Sequence, residues 1–390
     1  MKGRLPGTFT IIAMSLMIAL AIAEVLTRLI RPFSTVTYGV DPELGHILVA
    51  NQGTRWVNED YDQTVTTNNA GFHDYDHQIE KPSDVYRIVV LGDSFIEALS
   101  APIESGFAQQ LEQLIQHDVR SRRVEVINLA VGGTGPAQYL RMLQAKGLAY
   151  HPDLVIMAVF PDNDFWDSYE GLSGSSSKVF YRLGSDGSLE YLPPRVSWVS
   201  AKSRRWLRKS AFLSLLRTGM NSTAIESWLT GLGVLQAPGL GIEPSLRRSE
   251  WGVFLATHPE PWPAAYQTTL ESIRFAHRLT ADGGAEFLVM VIASVAMVED
   301  RWNEALAPYP EAGHLRWDFE YPSGQIAQLG ENDGFPVISL LEPFREDFKA
   351  TGRSQSWPHD GHWSPAGNRL AAQVCSRYLV AHRDTYGLPD

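Results

Sequence analysis

Four short stretches of this sequence hold the side chains that nucleophilic acyl chemistry needs. Ser94 stands in Gly92-Asp93-Ser94-Phe95, and Gly133 lies in the small-residue stretch Asn128 to Gly135. Asn163 stands in Phe160-Pro161-Asp162-Asn163-Asp164, and Asp360-Gly361-His362 lies far downstream. A serine hydroxyl is a weak nucleophile until an imidazole takes its proton, and the imidazole needs a carboxylate to fix its tautomer. Ser94, His362 and Asp360 make up that set. The tetrahedral intermediate also needs donors aimed at its oxyanion. The backbone amides of Ser94 and Gly133 and the side-chain amide of Asn163 supply three.

Side chains so far apart in sequence meet only if a scaffold brings them to one rim. Tyr86 to Leu91 reads as a buried strand, Phe107 to His117 as a helix with one apolar face, and Val124 to Ala130 as a second strand. Gly135 to Lys146 follows as a helix and Leu154 to Phe160 as a third strand. This alternation predicts right-handed crossovers and a parallel sheet covered on both faces, with ligands beyond the carboxyl ends of the strands. Ser94, Gly133 and Asn163 each follow such an end. The rhythm resumes with a helix at about 264–280, a strand Phe287 to Ala293, a helix near 318–329, a strand Pro336 to Leu341 and a last helix from Ala366 to about Ala381. No internal repeat interrupts it.

In order and in strand context, these residues resemble blocks I, II, III and V of the SGNH hydrolases, the GDSL esterase/lipase superfamily. The resemblance runs from about Asn69 to the C-terminus, apart from an insertion at about 165–262. It implies a three-layer α/β sandwich with a central parallel, flavodoxin-like sheet. It gives Ser94 as nucleophile and first oxyanion donor, Gly133 and Asn163 as the other donors, His362 with Asp360 as the base pair, and no cofactor. The acid commonly stands three residues before the histidine, a place taken here by His359. A spacing of two, with Trp363 after the histidine, is similar to SGNH proteins of alginate acetylation. Thr67 to Phe72 looks like the lead-in of bacterial membrane-anchored members. Ala130 and Pro161 depart from glycines common in the family. The Gly-x-Ser-x-Gly elbow of α/β-hydrolases does not occur around Ser94.

Other polar residues near these blocks have plainer uses. Asp93 reads as a turn or cap residue and Asp164 as a brace for its loop. His359, Asp360 and His362, like His73, Asp74, Asp76 and His77, lack a helical i, i+4 histidine pair or a cysteine partner, so no metal site is expected. The second group reads as a solvated loop. Trp166, Trp357 and Trp363 flank the blocks and are candidates for contact with a sugar ring or acyl group, with packing as the alternative.

The 390 residues carry 33 Lys and Arg against 44 Asp and Glu, a formal charge of −11, which argues against nucleic acid as a partner. Cys375 is the only cysteine, so no intramolecular disulfide can form, and its apolar surroundings read as a buried helix face. Residues 5–23 between Arg4 and Glu24 are uncharged and as a helix would reach about 28 Å, close to the hydrocarbon thickness of a bilayer. Residues 1–31 are therefore a membrane anchor or a signal segment cleaved near Ala23. With Lys2 and Arg4 in front, the body is expected outside the cytoplasm, on the bacterial inner or cytoplasmic membrane, or secreted or periplasmic if the segment is cleaved.

Residues 32–84 read as a connector and 85–390 as the hydrolase-like domain. Within the insertion, Lys202 to Arg217 is basic and amphipathic, either a lid helix or a segment resting on anionic lipid. The expected partners are an acyl-ester or glycan substrate, the membrane, and a membrane acyl-donor protein. Three readings of function stand side by side: a serine esterase acting on acetyl esters of envelope or exported glycans, an O-acyltransferase using the same acyl-serine, and a non-catalytic glycan- or partner-binding module.

Overall fold

Val85–Leu91 (β5) is buried at every position, as a strand must be when both faces of its sheet are covered. In the computed structural model, which describes residues 5–30, 34–184, 186–196, 210–213, 250–307 and 309–390, this strand is flanked by Arg123–Asn128 (β6) and Leu154–Val159 (β7). Glu286–Val291 (β10) and Val337–Ser339 (β11) complete five parallel strands in the order β11-β10-β7-β5-β6. The chain therefore passes from β5 to β6 on one side and then crosses back over β5 to β7 on the other. Such an order reversal opens a crevice at the carboxyl ends of the strands.

Alternate residues of each strand enter opposite layers. Val89, Leu91, Ile127, Val155, Met157 and Val289 pack against Pro136–Ala145 (α4), Trp262–Asp282 (α6) and Tyr321–Asp333 (α7) through Leu140, Leu143, Ile273 and Ile326. Ile88, Val90, Val126, Ile156 and Met290 pack against Phe107–Asp118 (α3), Leu341–Thr351 (α8) and Pro365–Ala381 (α9) through Phe107, Leu111, Phe344 and Ala372. This is the three-layer α/β sandwich expected of an SGNH fold. Each fully buried aliphatic side chain contributes about 1.5–3 kcal/mol. Cys375 lies wholly inside the second layer, where burial pushes its thiol up to about 12.

The stretch read as a connector has more structure than its sequence suggested. Tyr38–Asp41 (β1) pairs with Gly45–Leu48 (β2), and Gly53–Val57 (β3) with Asp62–Thr66 (β4), as two antiparallel hairpins. The following loop is only partly solvated: Asp76 is exposed, whereas His73 and Asp74 are buried. Asp74 is buried, accepting from Gln109 Nε2 at 2.6 Å, the Asn128 amide at 2.8 Å and His77 Nε2 at 3.2 Å. Within the insertion, Phe180–Leu183 (β8) and Leu189–Leu192 (β9) form a third hairpin. Most of the basic stretch 202–217 lies outside the described residues.

The N-terminal helix Leu5–Ile30 (α1) carries an apolar window, Thr10–Leu29, long enough to cross a bilayer, and its Ile11, Leu16, Met17 and Leu29 are exposed. Near its end the Glu24 carboxylate accepts from Ser210 Oγ at 2.6 Å and from the amides of Ala211 and Phe212 at 2.9 and 3.0 Å.

Candidate active site

The turn after β5 carries the serine because Asp93 starts a helix there. Asp93 is buried, and its side chain accepts the Phe95 amide at 2.9 Å as the N-cap of the single turn Ser94–Glu97 (α2). Ser94 thus takes the first helical position at the end of a central strand, with its hydroxyl facing the crevice. Across it, Trp357 N donates to His362 O at 2.8 Å and Gly361 N to Trp357 O at 2.9 Å, folding residues 357–362 into a tight loop. Ser364 then caps α9.

This loop delivers the base. His362 Nε2 lies 2.7 Å from Ser94 Oγ, and His362 Nδ1 lies 2.9 Å from Asp360 Oδ2. A carboxylate only accepts, so Nδ1 carries the proton and Nε2 is left to take one from the serine. Phe95 packs on the imidazole with ring centroids 4.9 Å apart. Burial opposes protonation of His362, but the Asp360 carboxylate, helped by Asp93 and Glu97, outweighs it and raises the imidazole above its ordinary value.

The other two positions lie at neighbouring strand ends. Gly133 follows β6 in the left-handed region, φ 67°, in open space. Asn163 stands in the first turn of Pro161–Ser168 (α5), directly after β7, and its Oδ1 is buried with no hydrogen-bond partner among the described residues. Asp164 does brace this turn, accepting the Phe160 amide at 2.9 Å and Tyr139 Oη at 3.1 Å.

Ser94, Asp360 and His362 form one hydrogen-bonded chain at the order reversal of the sheet, with Gly133 and Asn163 on the adjoining ends. The sheet order places these residues on one rim, as the resemblance noted in the sequence implies. No protein-family model matches the sequence, and no curated protein sequence does. Among solved structures, this chain is similar to an acetyl xylan esterase at 12% identity, covering 75% of this chain and 98% of that one with a TM-score of 0.40. It is also similar to a lipase/acylhydrolase from Enterococcus faecalis at 11% identity, covering 76% and 96% with a TM-score of 0.38. A catalytic mutant of an acetylxylan esterase from Geobacillus stearothermophilus matches at 10% identity, covering 75% and 94% with a TM-score of 0.41.

The three tryptophans near the candidate site separate. Trp363 is 1% exposed and sits between Phe95 and Phe344 in the core, so the expectation of substrate contact is corrected. Trp357, the first residue of the 357–362 loop, packs against Tyr61 with ring centroids 5.6 Å apart. Trp166, half-buried on α5, lines a cavity of about 400 Å³ with Leu172, Glu260 and Pro261.

Several site residues have no signal in the sequence. Tyr38 Oη donates to Glu97 Oε2 at 2.7 Å, and the Gly132 amide donates to the same carboxyl. Burial, first, and the nearby Asp93 raise Glu97 to about 7, against the hydrogen bonds it accepts. His46 lies 2.7 Å from the Gly132 carbonyl. All of these stand more than thirty residues from the loop they hold, and no motif links them to it. Among the described residues no cluster could hold a metal ion.

Proposed function

We propose that this protein is a serine ester hydrolase of SGNH type that acts on acyl esters, with acetyl esters of envelope or exported glycans as the substrate class. The observation that carries this reading is the hydrogen-bonded order Ser94–His362–Asp360 at the crevice of the sheet. As Ser94 Oγ attacks the ester carbonyl, its proton passes to His362 Nε2, and Asp360 stabilises the imidazolium. The oxyanion faces the amides of Ser94 and Gly133 and the Asn163 side chain. His362 then protonates the leaving alkoxide, giving an acyl-Ser94 ester and a free alcohol. The side chain of His362 is 32% exposed, so water can reach it, lose a proton to Nε2 and hydrolyse the acyl-enzyme. A sugar hydroxyl entering in place of water would make the same intermediate a transferase.

Localisation is part of the same proposal. The exposed apolar surface of α1, preceded by Lys2 and Arg4, supports an anchor that keeps the sandwich at the outer face of the cytoplasmic membrane.

The test is labelling of the detergent-solubilised full chain with a fluorophosphonate, together with release of p-nitrophenol from its acetate ester. Wild type should label and turn over, and Ser94→Ala should do neither. A label that persists in Ser94→Ala, or its absence from both proteins, removes the reading. Acetylated oligosaccharides followed by mass then test the substrate class.

A further inference from the structure

In Asp360-Gly361-His362 the acid stands only two residues before the base, and Gly361 between them turns the chain with φ 79°. The bonds inside this loop run from Trp357 N to His362 O and from Gly361 N to Trp357 O, so the amides of His359 and Asp360 are met from outside it. The turn between β3 and β4 meets both. Asp60, whose side chain is 4% exposed, accepts the His359 amide at 2.9 Å and the Asp360 amide at 2.8 Å on Oδ2. Its Oδ1 lies 2.7 Å from His359 Nδ1, which carries the proton because a carboxylate only accepts. Three bonds on one carboxylate thereby tie the backbone of the acid to a segment three hundred residues away.

The turn that offers Asp60 is itself held in shape. Asn58 Oδ1 accepts the amides of Asp60 at 2.8 Å and Tyr61 at 3.1 Å, an Asx turn, while Asn58 N donates to Tyr61 O at 3.0 Å. On the free side of β3, Thr35 N donates to Arg55 O at 2.7 Å and Val57 N to Ser34 Oγ at 2.9 Å. Tyr61, 7% exposed, accepts Trp56 Nε1–H at 2.9 Å and lays its ring against Trp357. The hairpin therefore grips the 357–362 loop at two points, the Trp357 ring and the paired amides of His359 and Asp360.

We propose that Asp60 is a positioning residue of the catalytic site: it fixes the backbone of Asp360, and with it the carboxylate that accepts His362 Nδ1–H, without touching substrate. The inference rests on the esterase reading for its effect on rate, and on the three bonds to Asp60 for its geometry. Once the Asp360 backbone is loose, the imidazole can take the other tautomer, in which Nε2 already holds a proton and cannot receive the one on Ser94.

The test uses the full chain in detergent micelles and compares wild type, Asp60→Ala, Asp60→Asn, Asp360→Ala and the double variant Asp60→Ala/Asp360→Ala. Turnover of p-nitrophenyl acetate is read beside the low-field proton resonance of His362 Nδ1–H. Asp60→Ala should lower kcat about 100-fold while KM stays within about twofold, and should displace the resonance. Asp60→Asn, whose amide oxygen can still accept both backbone amides, should recover about tenfold of that loss. In the Asp360→Ala background, Asp60→Ala should cost less than about threefold further, because Asp60 acts through Asp360. Asn58→Ala, which frees the turn but leaves the carboxylate, should displace the resonance in the same direction by less, and takes the place of Asp60→Ala if that variant does not fold. Unchanged kcat with an unmoved resonance overturns the proposal, as does an equal loss of kcat with and without Asp360. Wild type that lacks turnover altogether overturns the esterase reading instead, and the resonance, which needs no substrate, still decides for or against Asp60.

Discussion

His46 Nε2 lies 2.7 Å from the carbonyl oxygen of Gly132, the residue before Gly133, the proposed oxyanion donor. A carbonyl only accepts, so this nitrogen carries the proton, and the β1–β2 hairpin holds the peptide whose amide must point at the substrate. His46→Ala should leave that peptide free to turn. Losing one aimed oxyanion donor costs about 10²–10³ in kcat, and a misaimed one should approach the lower figure. Steady-state kinetics on p-nitrophenyl acetate would show this as a fall in kcat with little change in KM, and an unchanged kcat would remove the bracing role.

The raised His362 sets the acidic limit of activity. The working form is the neutral imidazole, so a pKa above the ordinary 6.5 moves the acid limb of the kcat/KM profile to higher pH. Asp360→Asn removes the charge that raises it, so the limb should shift to lower pH while kcat drops by roughly 10³–10⁴-fold. A pH–rate series on both proteins checks the direction.

Glu97 has a cost that depends on pH. Its carboxyl is raised from 4.5 to about 7, so between those values the folded chain holds a proton that the unfolded chain has released, and stability falls as pH rises through that window. Glu97→Gln removes the dependence, since an amide stays neutral. The variant should gain on wild type between pH 5 and pH 8 by on the order of 2 kcal/mol. Thermal melts across this range measure the gain, and parallel curves for the two proteins would contradict it.

Trp363→Ala should act on stability rather than on substrate binding. Removing a buried indole from between Phe95 and Phe344 leaves a cavity and costs about 3–5 kcal/mol. A lowered Tm with KM for small esters unchanged in the surviving folded fraction is the expected pattern.

The adjoining residues His362 and Trp363 show what a sequence conveys and what it hides. The candidate histidine is legible because it stands with particular residue types in a set order, of which Ser94, Gly133 and Asn163 each follow an apolar run. Those runs, 85–91, 123–128, 154–159 and 286–291, are buried on both faces and so stand out as strands. Trp363 misleads because neighbours on extended backbone point to opposite sides, so the residue beside the base enters the core. The hairpins within 38–66 escape notice because their strands have four or five residues with weak alternation, and their main partners are each other. The helix Leu341–Thr351 escapes because Phe344 is its one buried side chain. Asp60, which accepts the His359 and Asp360 amides, carries no pattern at all, because the contact exists only once the chain has brought residue 60 against residue 360.

The first hairpin also bears on where the proposed hydrolase would work. From Ile30, where the apolar helix ends, to Tyr38, which holds Glu97 one turn beyond the nucleophile, is a step of eight residues. Eight residues of fully extended chain span at most about 28 Å. If the helix lies in a bilayer, Tyr38 stays within that reach of it, and the proposed nucleophile works near the lipid surface.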